Sequence, residues 1–151
     1  MRVGVVGVFV VGLVALGIAA ASSTPANAQR SDDQEVMGPG LYIYQTRITG
    51  ASCEDATRTG YVDSFVAAIN GVPGSRTMDM MLTNSDHWKE WDLTVQANGT
   101  IVGVARVRNR SARFEVRRNG SRFTGTGNRQ YNSNGQRCRI DFDALLRRID
   151  V

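Results

Sequence analysis

The sequence predicts an all-β domain: a small antiparallel up-and-down barrel of about eight strands, stapled by one disulfide, behind a cleaved N-terminal signal peptide. Three observations predict it. Residues Trp91–Phe142 alternate apolar and polar positions and are cut by turn-forming residues at short intervals, as a run of antiparallel strands requires. The N-terminus reads as an export signal. Two cysteines, Cys53 and Cys138, lie far apart in the remaining chain.

The start of the chain comes first. Met1-Arg2 gives a short positive start, Val3–Ala21 is apolar or glycine, and Ala26-Asn27-Ala28 is a small-x-small cleavage site. Residues 1–28 therefore read as a signal peptide, with an uncleaved anchor as the alternative, since the run is long enough to span. Residues 29–38 read as a polar, flexible leader and 39–151 as a single β domain, which leaves no stable membrane span after cleavage. The expected location is exported, periplasmic or secreted, and in such a compartment the two cysteines pair.

Eight segments carry strand patterning: 40–48, 59–69, 76–83, 90–97, 100–108, 113–118, 121–128 and 136–143. In the second, Val62, Phe65, Val66 and Ile69 also fit a helical face, so a helix is the alternative there. Ala144–Ile149 reads as one helical turn. Requiring paired residues to share a face sets the hairpin registers. At Asn98-Gly99 a three-residue loop with a glycine bulge pairs Val95 with Ile101 and Leu93 with Gly103, because a two-residue loop would place Arg106 on the core face. At Asn119-Gly120 a two-residue loop pairs Val116 with Phe123 and Phe114 with Gly125. Four-residue loops at Asn109–Ala112 and Tyr131–Asn134 then pair Val107 with Phe114 and Gly127 with Cys138. The inward set becomes Trp91, Leu93, Val95, Ile101, Ala105, Val107, Phe114, Val116, Phe123, Cys138, Ile140 and Phe142, with Gly103, Gly125 and Gly127 among them.

Eight successive antiparallel strands close most economically into a barrel, with a β-sandwich as the alternative. Closure makes the last strand the neighbour of the first and brings Cys138 to Cys53. Small lipocalin-like barrels are the architectural comparison, but their early G-x-W signature is absent: both tryptophans, Trp88 and Trp91, fall mid-chain.

Following the strands up and down sorts the loops into two unlike ends. One carries Asn70–Ser75 and the Asn98-Gly99 and Asn119-Gly120 turns. The other carries Thr49–Arg58, Asn84–Lys89, Asn109–Ala112 and Tyr131–Gly135, and this richer end is the expected binding end. Its candidate residues are Asp86, His87, Trp88, Lys89, Arg110, Tyr131 and Asn132. His87 is the only histidine and Lys89 the only lysine. A single histidine can serve as a general base or a pH-sensitive contact, so an enzyme using His87 is the weakest alternative. The plain reading of that loop is a polar turn whose Trp88 plugs the barrel.

Charge supplies a second candidate. From Val104 to Arg148 there are 12 arginines against 3 acidic residues, whereas Gln29–Gly103 carries 5 basic and 10 acidic residues. The registers place Arg106, Arg108, Arg113, Arg117, Arg122 and Arg139 on an outer face. Such a face suits phosphate groups, acidic polysaccharide or nucleic acid, and its plain reading is a solvated surface that discourages sheet pairing. Sequons at Asn98, Asn109 and Asn119 fall in turns.

Nucleophile-elbow, zinc-protease, P-loop and dinucleotide motifs are all absent from the sequence. Two cysteines and one histidine are too few for a zinc site. The expectation is a non-catalytic binding or accessory module without cofactor or metal. Its partner would be a small ligand, an envelope or extracellular protein, or an anionic polymer.

Overall fold

The computed structural model describes residues 37–53 and 58–149. The expected signal peptide, residues 29–36 of the expected leader, part of the first loop, 54–57, and residues 150–151 lie outside the described residues. Eight antiparallel strands in sequence order close into one barrel: β1 (Gly40–Ala51), β2 (Val62–Asn70), β3 (Thr77–Leu82), β4 (Glu90–Val95), β5 (Ile101–Val107), β6 (Arg110–Asn119), β7 (Arg122–Ser133) and β8 (Gln136–Arg148). The sandwich alternative and the helical alternative for β2 do not hold. No helix long and apolar enough to cross a membrane occurs among the described residues.

Period-two patterning becomes alternating burial. β3 buries Met78, Met80 and Leu82, and β4 buries Trp91, Leu93 and Val95, with exposed residues between them. The centre is aromatic: the Tyr44, Trp91 and Phe114 rings meet at centroid distances of 5.2–5.8 Å, and burying each large side chain is worth about 2–3 kcal/mol. Gly103 makes room for this cluster, since a Cβ there would sit 2.3 Å from the Phe114 ring. Gly127 does the same for Phe142, at 2.5 Å. Met37 is buried just ahead of β1, where Tyr42 Oη donates to the Gly38 carbonyl at 2.9 Å. At the other end Trp88 joins the core, and Trp91 Nε1 donates to its carbonyl at 2.9 Å.

Three of the four Asn-Gly pairs make hairpin turns, each in a different way. At Asn98-Gly99 the pairing is Val95 with Ile101 and Leu93 with Gly103, as the face rule predicts, and Gly99 takes the left-handed conformation (φ 77°). At the second pair the turn is Gly120-Ser121, so Val116 faces Gly125 and Phe114 faces Gly127, each two residues from the predicted partner. Only Gly120 has positive φ (62°). That is the type II′ pattern, whereas the predicted type I′ turn needs two such residues. The type I′ turn lies instead at Asn134-Gly135, where both φ are positive (49° and 79°). It replaces the predicted four-residue loop, moving Cys138 opposite Tyr131 and Phe142 opposite Gly127.

The β5–β6 loop is also tighter than predicted. Val107 pairs with Arg110 across Arg108-Asn109, and Phe114 therefore covers Gly103, not Gly125. Val107 keeps its inward parity but is 41% exposed, because it lies beyond the end of the packed interior. Ala144–Ile149 is no helical turn: β8 runs on to Arg148, burying Ala144 and Leu146.

The seam is where the topology could fail, and it is well made. β1 and β8 pair from Tyr42 with Arg148 to Ala51 with Ile140, with a register shift between Ile48 and Gly50. Ser52 continues the ladder, its N–H donating to the Arg139 carbonyl and its Oγ accepting from the Arg139 N–H, both at 2.8 Å. The Cys53–Cys138 disulfide follows, with a Cα–Cα distance of 5.8 Å. The predicted pairing therefore holds, and it is compatible with an oxidising environment.

Candidate functional site

The β7–β8 hairpin outreaches its neighbour at the loop-rich end. The β6–β7 ladder stops at Ser111–Gln130, but the hairpin continues to Ser133–Gln136. The step leaves a cleft of about 380 Å³, floored by the start of β6 and walled by the hairpin. Arg106, Arg108, Arg110 and Arg137 line it, together with Asn109, Ser111, Gln130, Tyr131 and Asn132. Among the described residues no acidic side chain does.

Local geometry fixes each arginine. Arg106 and Ser111 are cross-strand partners, and Ser111 in turn faces Gln130. Arg108 holds the first turn position with φ 49°, which a residue bearing a Cβ rarely adopts. Arg137 faces Asn132, and its Nη2 donates to Gln130 Oε1. The neighbouring arginines are already neutralised: Arg113 pairs with Glu115, and Arg139 with Asp141 at 2.7 Å. The Asp141 hydrogen bond raises the pKa of Arg139 further. Those two pairs border a second, smaller groove of about 260 Å³.

The sequence-derived candidates thus regroup. Arg110, Tyr131 and Asn132 from the loop set meet Arg106 and Arg108 from the arginine face. Arg117 donates to Thr100 Oγ1 at 2.8 Å, and Arg122 lies beside the opposite turn, facing Asn119 and Arg147. The like-charge contacts that the predicted registers imply, Arg108 with Arg113 and Arg117 with Arg122, are not formed. Asp86, His87 and Lys89 are exposed on the β3–β4 loop and do not line the cleft, while Trp88 turns inward.

Arg137 joins the cleft unpredicted, and Arg129 is a second residue that the loop-and-face reasoning misses. Arg129 points into the barrel mouth, where Nη2 donates to Thr46 Oγ1 at 3.0 Å and Nη1 lies 3.8 Å from Asp63 Oδ2. The guanidinium stands 5.0 Å over the Phe142 ring. Its Nε and the Tyr44 hydroxyl are buried without hydrogen-bond partners among the described residues. Burial pushes the Tyr44 phenol well above the ordinary tyrosine range, against a smaller opposing effect of Arg129. The signal was available: Arg129 follows Phe123, Gly125 and Gly127 at period two, on the inward side of β7.

Among the described residues no group of three or more His, Cys, Asp or Glu side chains could hold a metal ion. The chain matches no known family model, no curated protein and no solved structure at a significant level.

Proposed function

We propose that this protein is an exported, non-catalytic binding module that holds an anionic ligand in the arginine cleft. One observation carries the reading: four arginines line one cleft and, among the described residues, no carboxylate shares it. Guanidinium groups present planar donor forks that match phosphate, sulfate or carboxylate oxygens two at a time. Gathered without counter-charge they repel one another, and a bound anion relieves that repulsion. The amides of Gln130 and Asn132 and the hydroxyl of Ser111 add donors for uncharged ligand oxygens. The ligand class is a phosphate- or sulfate-bearing molecule or an acidic polysaccharide, and in this reading His87, which does not line the cleft, takes no part.

The test is a fluorescence titration with a labelled sulfated oligosaccharide and a labelled oligophosphate across a salt series. With up to four arginines engaged, the logarithm of affinity is expected to fall with the logarithm of salt with a slope of about −2 to −4. The double variant Arg106→Gln/Arg110→Gln should bind roughly tenfold or more weakly. Arg76→Gln, exposed on the loop at the opposite end, should bind as the parent does. Salt-independent binding, no binding of either probe, or equal losses in both variants would remove the reading.

A further inference from the structure

We infer that the outer face of β8, β1, β2 and β3 is a self-association surface, and that its occupant is a second copy of this chain. The centre of the face is apolar. Leu145 on β8, Leu41 and Ile43 on β1, Val66 and Ala68 on β2 and Met81 on β3 all have outward parity. Leu41, Ala68 and Met81 form one cross-strand row, and the first and last are 45% and 42% exposed. Contiguous apolar area bordered by charge marks an interaction surface.

The borders decide the partner. On the β8 side Arg147 stands directly opposite Arg122 of β7. On the β3 side Asp79 stands directly opposite Asp92 of β4. All four side chains are exposed, and none forms an ion pair among the described residues. Like charges placed face to face are unfavourable in the lone barrel. One flank is thus basic and the other acidic, with an apolar strip between them.

A two-fold axis lying in the contact plane and inclined to the strands by about 45° exchanges left and right. It lays the basic flank of each copy over the acidic flank of the other. Arg147 is level with Thr83, four residues along β3 from Asp79, and the inclination of the axis carries it over the partner copy's counterpart of Asp79, a contact that forms twice. A foreign partner would have to match the same order of charge, apolar strip and opposite charge, which the chain supplies by symmetry. The curvature of an eight-stranded barrel restricts the contact to about three or four strands, so the interface is at the small, reversible end of the range.

Sedimentation velocity on the protein as purified from expressing cells, from about 5 µM to about 500 µM, tests this. The parent should move from monomer towards twice the monomer mass. Leu41→Asp/Met81→Asp should stay monomeric, with circular dichroism and tryptophan fluorescence showing an intact barrel. Arg147→Asp should raise the dissociation constant about tenfold, and adding Asp79→Arg should restore it to within about threefold. This charge exchange decides the matter even if the apolar variant fails to fold. A monomer at every concentration would mean that this face takes another partner or none; that result, or an exchange that does not restore association, overturns the inference.

Discussion

The Tyr44 hydroxyl is the least satisfied polar group described in the core: it is fully buried, and among the described residues it has no hydrogen-bond partner. Such a group costs about 1–3 kcal/mol that an apolar replacement does not. Tyr44→Phe should therefore raise stability by about 1 kcal/mol, seen as a higher urea midpoint at unchanged slope. A loss of stability would mean that the hydroxyl has a partner, such as a bound water or a ligand reaching the mouth beside Arg129. Burial also raises the phenol's pKa in the folded state above its unfolded value. The folded protein thus holds this proton more tightly, and that contribution is complete below the ordinary tyrosine range and is lost as pH rises beyond it. In an alkaline absorbance titration one tyrosine should ionise only as the barrel unfolds. Early ionisation of all four tyrosines in a barrel that remains folded would contradict this account.

At the scale of strands and hairpins, face and partner turn out to be separate pieces of information. An apolar-polar alternation tells which side of a strand is inward, and the sequence-derived inward set is buried at Trp91, Leu93, Val95, Ile101, Ala105, Phe114, Val116, Cys138, Ile140 and Phe142. Sliding a strand by two or four residues leaves every face unchanged, so the same pattern cannot detect it. Turn conformation decides the slide. At Asn134-Gly135 two left-handed residues make the tight turn; at Gly120-Ser121 a single one does. This is why the arginine neighbours were illegible while the arginines themselves were plain. A shift of four residues on the β5–β6 hairpin takes Arg108 away from Arg113 and into a turn beside Arg110. That turn yields its own prediction, since a positive φ at Arg108 strains any residue with a Cβ. Arg108→Gly should stabilise the barrel by about 1 kcal/mol in thermal or urea unfolding. The same change should weaken anion binding, and a variant that loses stability would show that the arginine side chain makes contacts worth more than the strain.

For the whole barrel, one ladder differs in kind from the other seven. Every other ladder joins strands adjacent in sequence, whereas β1–β8 joins the first to the last. Its closure removes the only two edges that the sheet would otherwise expose. Closure was legible because two cysteines in a chain whose start reads as an export signal are expected to pair, and up-and-down topology puts them at the same end of neighbouring strands. The disulfide spans 85 residues, and constraining a loop of that length stabilises by up to about 4 kcal/mol in the chain-entropy account. Replacing both cysteines by serine should thus lower unfolding free energy by roughly 2–4 kcal/mol. The barrel should still form at 25 °C, because the β1–β8 hydrogen bonds remain. If the staple acts only on the unfolded chain, hydrogen exchange limited by global unfolding should quicken alike in every strand. If it also clamps the native seam, exchange in the serine variant should rise most at Ile48–Ala51 and Ile140–Phe142, with β4 and β5 least affected. We expect the second pattern, because Cys53 and Cys138 close the seam at the end where its register already shifts, between Ile48 and Gly50. An even increase across all strands would assign the disulfide wholly to the unfolded state, leaving the ladder itself to hold the barrel closed.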